Sequence, residues 1–264
     1  MESKFTIINV LRTSWSTLVS QIWILAGLLI GYVLLSFIIG AVSPALSSFW
    51  PGVFILNILS VIISLIFSLG YLKNLFQALD GDEPRFSAYG QQAHKILTYF
   101  VSGLLMGVLI FIVLGIFLLP YFYLLYNFSF VREMIDGFNA IFAGSNYLPE
   151  LPEGSVLTFI ILALGGLCLS LPAVYISIRF MFYQAFIVED NAGIIESLEK
   201  SWKITQGHTL RLFLLGLVML GLIIAGLLVF IVGIFVAIPL TQLMYCSVFR
   251  KLNVYSTSLP DSAD

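Results

Sequence analysis

The sequence predicts an all-α fold: a polytopic membrane helical bundle of six transmembrane helices, arranged as three helical hairpins, with amphipathic helices on its cytoplasmic side. Three observations carry this. Hydrophobic residues make up 60% of the chain and charged residues only 10%, whereas soluble globular domains run at roughly 25% charged. Several apolar runs exceed the roughly 20 residues that cross a hydrocarbon core as helix. The Lys and Arg residues also gather in alternate connectors, the asymmetry that orients a multi-pass chain.

Taken in order, the spans fall at about 21–43, 53–78, 96–119, 156–186, 209–229 and 232–250. The first is too long for the apolar core of a signal peptide, and the small residues after it run into Pro44, so it is expected to stay in the membrane. Between the second and third lies "DEPRFSAYGQQAHK", in which Pro84 can open a short helix bearing Phe86 and Tyr89. The fourth span is long enough to reach past the bilayer and contains Pro172, read as a kink; Pro239 in the sixth is read likewise. Ser170 is a neighbour able to re-satisfy carbonyls freed by Pro172, and it forms a small-residue pair with Gly166. The apolar run from Leu212 would be about 60 Å long as one helix at 1.5 Å per residue, twice the hydrocarbon thickness. It therefore reads as a tight hairpin turning near Gly226 and Gly233. GxxxG spacing at Gly27 with Gly31 and at Gly103 with Gly107 is expected to mark close helix packing. Residues 1–252 form a single integral membrane domain on this reading, with 253–264 a polar C-terminal tail.

Orientation follows from positive charge. With six spans and an inner N-terminus, the cytoplasmic segments collect Lys4, Arg12, Lys73, Arg85, Lys95, Arg179, Lys200, Lys203, Arg211, Arg250 and Lys251, and only Arg132 falls outside. Both termini are therefore placed in the cytoplasm. A net charge of −2 with dispersed cations offers no basic patch for phosphate backbones, so no nucleic-acid partner is expected. Cys168 and Cys246 lie inside apolar runs without metal-like or CxxC spacing and read as structural thiols.

The most charged connector, "VEDNAGIIESLEKSWKITQGHTLRLF" (188–213), then faces the cytoplasm. Ile194, Ile195, Leu198 and Trp202 recur at helical spacing, and Glu196 to Lys200 and Glu199 to Lys203 sit four apart with the acid first. Asp190 or Asn191 is expected to cap this helix and Gly207 to end it. Trp202 suits the water–membrane boundary. The alternative is a helix that only packs on neighbouring helix ends. In "INVLRTSWSTLVSQIWILAG" (8–27), Ile8, Leu11, Ser14 and Trp15 align with Ile195, Leu198, Ser201 and Trp202, and "LTYFVSGLLM" from Leu97 aligns with "LRLFLLGLVM" from Leu210. The chain reads as three units of amphipathic helix plus two spans, with chance similarity among apolar residues as the competing account.

The stretch "GGLCLSLPAVYISIRFMFYQAFIVEDNAGIIESLEKSWKITQGHTLRLFLLGL", closed by "GIFVAIPLTQLMYCSVFRKL", resembles a group of bacterial polytopic membrane proteins. The group comprises the DUF975 family, the YciC-like family and the membrane domain found beside some glycerophosphodiester phosphodiesterases. The shared pattern is a Pro-containing span, an acidic turn, an amphipathic helix with a Ser-Trp pair, a Gly-bearing turn and a closing hairpin ending in an aromatic and a basic residue. Residues 60–115 and 160–252 fit it. The resemblance implies a bacterial inner-membrane location and a fold; it implies no established activity, and the chain carries no phosphodiesterase domain. Residues 120–155 look like an insertion on the outer face. They are acidic overall and dense in aromatics, including Tyr121, Tyr123, Tyr126 and Tyr147, and read as an aromatic belt or as a lid. The "NFS" at Asn127 fits a glycosylation pattern that a bacterial source makes moot.

No HExxH, phosphate loop or nucleophile elbow is present, and His94 and His208 stand one per connector. No ionisable residue falls near a midplane, which weighs against ion-coupled transport. Lys73 and Arg179 can snorkel to headgroups from the inner ends of their spans, and the planar Arg179 fork also matches a lipid phosphate. Expected lipid or interface contacts are Arg179, Trp202, Trp15, Lys200 and Lys203, with Pro172 and Pro239 as kinks. The functional expectation is a non-enzymatic accessory protein of envelope or lipid organisation, without catalytic residue, metal or cofactor, whose partners are membrane lipids or another membrane protein. The alternative is a transporter or channel for an apolar or amphiphilic solute.

Overall fold

A long apolar segment away from water must satisfy its own backbone hydrogen bonds, and a single segment can do so only as helix. The computed structural model, which describes residues 6–46, 49–126, 129–144 and 155–258, follows this rule: among the described residues every α or β element is a helix. These are α1 (Ile7–Val42), α2 (Trp50–Asp80), α3 (Ser87–Gln91), α4 (Ile96–Tyr126), α5 (Ser129–Phe142), α6 (Ser155–Arg179), α7 (Tyr183–Glu189), α8 (Ile194–Thr205), α9 (Thr209–Leu228) and α10 (Phe230–Ser258). Among the described residues six stretches are long and apolar enough to cross a membrane: Ile7–Val42, Trp50–Asp80, Ala93–Tyr123, Ile160–Glu189, Thr209–Leu228 and Gly233–Val254.

The chain divides into two compact units, Met1–Leu104 with Arg179–Asp264, and Leu105–Ile178. In the first unit the buried residues of α2 all lie from Leu69 to Ala78, while those of α10 run through Leu243, Met244, Phe249 and Leu252. The packed core thus sits where the C-terminal parts of α2 and α10 meet α7. Phe249 is its hub, with ring centroids 5.6 Å from Phe76, 5.8 Å from Phe182 and 4.9 Å from Phe186. Such offset and edge contacts add about 0.5–1.5 kcal/mol per pair beyond area burial. Toward the other ends of α1 and α2, Leu34, Phe37, Phe54 and Ile55 are exposed, as suits helices solvated by lipid tails no less apolar than they are.

The predicted hairpin is α9 and α10. A β-carbon on Gly226 would stand 2.7 Å from the Ala237 β-carbon and 2.8 Å from the Gly233 carbonyl, so only glycine lets the two backbones meet there. Gly27 and Gly31 behave differently from the expected packing pair: a β-carbon at either would meet nothing within 4 Å. Their spacing marks an open face, because close approach depends on what the neighbouring helix does and not on the glycines alone. The amphipathic segment of residues 8–20 is a helix of its own up to a kink at the non-helical Gln21 (φ −130, ψ 19), beyond which the spanning part of α1 begins.

In the second unit, Tyr121 lies against Gly165 and Gly166, where a β-carbon would be 3.3 and 3.4 Å from its ring or hydroxyl, and its hydroxyl donates to the Leu162 carbonyl. α4 continues through Pro120 to Tyr126, and α5 occupies the middle of the predicted insertion, followed by Gly144 (φ 83). Arg132 lies 5.1 Å over the Tyr126 ring. Asn127 and Tyr147 lie outside the described residues. Pro172 and Pro239 each sit within a helix that continues beyond them. The Ser170 hydroxyl donates to the Leu167 carbonyl at 2.7 Å. The carbonyl that Pro172 leaves without its helical donor is instead that of Cys168, four residues back. α10 runs on to Ser258, through the first half of the predicted polar tail.

Candidate functional site

The charged connector begins with Glu189, at the end of α7, and its carboxylate clamps two other helices. Lys73 of α2 donates to Oε1 at 2.9 Å and Arg250 of α10 donates through Nη2 to Oε2 at 2.7 Å. Arg250 also grips Asp80 with both terminal nitrogens, the second at 2.8 Å, and lies 5.4 Å over the Phe76 ring. Lys95, buried, donates to the Val188 carbonyl at 2.9 Å. Lys73 is therefore held inside the protein by a carboxylate. None of these pairings was legible in the sequence, since the partners are 61, 93, 116 and 170 residues apart.

α8 packs by its polar face. Ser197, Ser201 and Thr205, four residues apart, are each fully buried. Ser201 and Thr205 hydroxyls donate to the Arg179 carbonyl at 3.1 and 3.0 Å, and Ser201 Oγ accepts the Phe182 N–H at 3.0 Å. The helix starts later than Asp190 or Asn191: the Glu196 carboxylate accepts the Gly193 N–H at 3.1 Å, Asp190 closes α7, and Asn191 occupies a left-handed turn (φ 53). Gly207 (φ 76) does follow its end. Glu196 pairs with Lys200 at 2.8 Å, and among the described residues no ion pair joins Glu199 to Lys203. The Lys200 ammonium, with the Gly193 N–H, holds the Glu196 carboxyl below its ordinary range.

Of the sequence-predicted contacts, Arg179 is only 3% exposed, its guanidinium stacked 4.1 Å from the Trp202 ring centre. Trp202 and Trp15 both keep an exposed side, as do Lys200 in part and Lys203. The four aligned pairs share their environment position by position: Ile8 and Ile195 exposed, Leu11 and Leu198 half-buried, Ser14 and Ser201 fully buried, Trp15 and Trp202 exposed. Matching burial supports repetition of this element. The aligned Phe100 and Phe213 differ, as do Met106 and Met219, so the middle unit gains no such support.

A second feature, missed in the sequence, is a cavity of 650 Å³ along the α1–α2 seam. It is lined by Gly27, Gly31 and a ladder of aromatic side chains that includes Trp23, Tyr32, Phe67 and Tyr89. Tyr32 stacks on Phe67 at 4.1 Å and its hydroxyl donates to Ser64 at 3.0 Å; Phe67 faces Tyr89 at 5.9 Å. Tyr89 lies against Gly70, where any β-carbon would collide with its ring. Burial pushes the Tyr89 phenol up to about 12, so it is neutral at physiological pH. Beside this apolar trough, sharing Ile24, is a 530 Å³ polar recess lined by Ser16, Thr17, Ser20, Gln21 and Glu83. The apolar trough and the polar recess beside it together offer an amphiphilic lining, each within the usual 300–1,000 Å³ scale of ligand sites.

Among the described residues no cluster of three or more His, Cys, Asp or Glu could hold a metal. No curated protein and no solved structure matches the chain. A family model described as "Protein of unknown function (DUF975)" matches residues 2–255.

Proposed function

The chain belongs to the DUF975 family, and from that premise we propose that it is a non-enzymatic accessory protein of the bacterial inner membrane, both termini cytoplasmic, that holds a membrane lipid between α1 and α2 and so serves envelope or lipid organisation. The observation that carries this reading is the α1–α2 cavity. It is apolar and aromatic, adjoined at Ile24 by a polar recess, and flanked by two glycines whose added side chains would meet only open space. Lys73, Arg250 and the acids around them are consumed by one another, which leaves the cavity as the amphiphilic site. The sequence offers no nucleophile, metal set or phosphate loop to give that site a reaction.

The test is mass spectrometry of the protein extracted with its native lipids. A reproducible bound lipid in the wild type that is lost in Gly31→Leu supports the reading. A bare wild-type chain refutes it and turns attention to solute flux in liposomes, where the transporter or channel alternative would be measured.

A further inference from the structure

We infer that the first part of α1, up to Gln21, and α8 are a matched pair of docking helices for the phospholipid headgroup region of one leaflet. Each lays one exposed apolar stripe against it: Ile8, Leu11 and Trp15 in α1, Ile195, Leu198 and Trp202 in α8. The pairing is independent of the α1–α2 cavity and stands whether or not a lipid fills it. Set in register, the two helices agree on every side, not only where their residues are identical. At 3.6 residues per turn, three stripes run along each. Val10, Ser14 and Leu18 in α1, and Ser197, Ser201 and Thr205 in α8, are fully buried. Asn9, Arg12, Thr13 and Ser16 stand opposite Glu196, Glu199, Lys200 and Lys203, polar throughout and exposed except for the half-buried Lys200. Between the buried and the polar stripes lie the apolar ones, in which Ile8 and Ile195 are 67% and 60% exposed and Trp15 and Trp202 50% and 38%. Packing on the rest of the unit accounts for the buried stripe and leaves this second one uncovered.

The chain itself identifies the cover. Among the described residues four membrane-length stretches lie between the two helices, namely the span of α1 and those of α2, α4 and α6 with α7. Four is even, so both helices are on the same side of the bilayer. Each is tethered to a span: α1 bends at Gln21 and runs on to Val42, and α8 ends at Thr205, four residues before α9 begins at Thr209. The exposed apolar residues continue into these spans, through Val19 and Ile30 in α1 and through Leu210, Leu214 and Leu217 in α9, surfaces that suit lipid tails. A helix tethered this closely to a span lies at headgroup depth, where a tryptophan ring with one polar atom is favoured. The exposed cations nearby fit the same neighbour. Arg12, Lys203 and the first-turn Arg211 of α9 are exposed, and among the described residues no ion pair joins them to an acid. They outnumber Glu199, the remaining acid of these stripes once Lys200 has taken Glu196, and phosphate oxygens are acceptors of the matching charge.

The experiment reads the depth of the two rings. Full-length protein carrying Trp23→Phe and Trp50→Phe keeps Trp15 and Trp202, its other tryptophans. It is reconstituted into dioleoyl phosphatidylcholine vesicles containing a lipid brominated either near the carbonyl end or near the methyl end of its chains, and iodide is added to the water as a third quencher. Adding Trp15→Phe or Trp202→Phe reports each ring alone. The carbonyl-end label is expected to quench each ring at least two-fold more than the methyl-end label, as follows from an apolar stripe sunk ~5–10 Å into the headgroup boundary. Trp15 and Trp202 should give the same ratio, and iodide should quench both weakly. Strong quenching by iodide with none from either lipid leaves the stripes in water and overturns the inference. Protection from all three quenchers overturns it too, because a second copy or another protein then covers the stripes. Unequal ratios for Trp15 and Trp202 break the matched pair. Should Trp202→Phe fail to reconstitute, the two-tryptophan protein and the one retaining Trp202 alone still decide, since Trp15 follows from their difference.

Discussion

Replacing Glu189 by Gln tests the clamp that joins α2, α7 and α10. The carboxylate receives Lys73 at 2.9 Å and Arg250 at 2.7 Å, and its side chain is 15% exposed, against 28% for Lys73 and 35% for Arg250. A charge-assisted hydrogen bond in a buried setting is worth about 1.5–3 kcal/mol. The exposed side of each cation reduces this toward the surface value of about 0–1 kcal/mol, so each contact is worth about 1 kcal/mol here. Arg250 keeps its two contacts to Asp80, whereas Lys73 is left beside Lys95 with its charge uncompensated. The expected loss is about 2 kcal/mol, a fall in Tm of about 4–8 °C for a chain of this size. Thermal unfolding of purified protein in detergent, followed by near-UV circular dichroism, reads it. A double-mutant cycle with Lys73→Met isolates the pair. A coupling energy under about 0.5 kcal/mol would refute the clamp, whatever the single variants do.

Gly226→Val should force α9 and α10 apart, since its side chain would enter the Ala237 β-carbon and Gly233 carbonyl; overpacking of this kind costs about 1–3 kcal/mol. Gly27→Ala, in open space, should leave the same thermal scan unchanged or slightly raised, and equal losses for both would sink the distinction. Trp202→Ala removes the ring under the buried Arg179 guanidinium, a contact worth about 2 kcal/mol when desolvated. Protease cleavage near Gln206 and Gly207 should accelerate, with Trp202→Phe intermediate; equal rates for all three would count against the stack. Glu196 titrates below its ordinary value of 4.5 because Lys200 and the Gly193 N–H stabilise its ionised form. Its contribution is therefore full above that ordinary value and is lost as pH falls through the lower folded value. Hydrogen-exchange protection at the start of α8 should drop in that acid window, and a Glu196→Gln protein that shows the same acid dependence would assign it elsewhere.

The six spans were legible in the sequence because length and apolarity alone decide them, whereas α5, in a segment read only as an aromatic belt or a lid, was not. The α9–α10 turn could be read because no single helix of that length fits a bilayer. The docking face of α8 could not. Its apolar spacing drew attention to Ile195 and Trp202, while the side that binds the Arg179 carbonyl is the Ser197–Ser201–Thr205 stripe, and hydroxyls buried in pairs leave no hydrophobic period. The GxxxG signal at Gly27 and Gly31 was ambiguous for another reason. Small residues permit a close neighbour and also permit an open groove, and only the path of α2 settles which. The Lys73–Glu189–Arg250–Asp80 network required knowing which helix ends meet, and sequence separations above 60 residues carry no such signal.

The two polar regions of the first unit differ in whether their own groups satisfy one another, and that difference argues for their roles. At the clamp, three cations face two carboxylates and a carbonyl, and each cation has a partner within 3 Å. Such closure fixes helix ends and leaves little charge for anything else. At the recess two serines on one face of α1 bond their own preceding turns, the pattern that bends helices, and the interruption at Gln21 falls immediately after the second. Gln21 then ties the bent segment to Asp82 beyond the end of α2. These hydrogen bonds hold the bend at Gln21. A straight α1 would return the backbone at Gln21 to its helical ladder and would bring Oε1 to a different place. The bend and its tie to Asp82 therefore hold the start of the α1 span against the turn that follows α2.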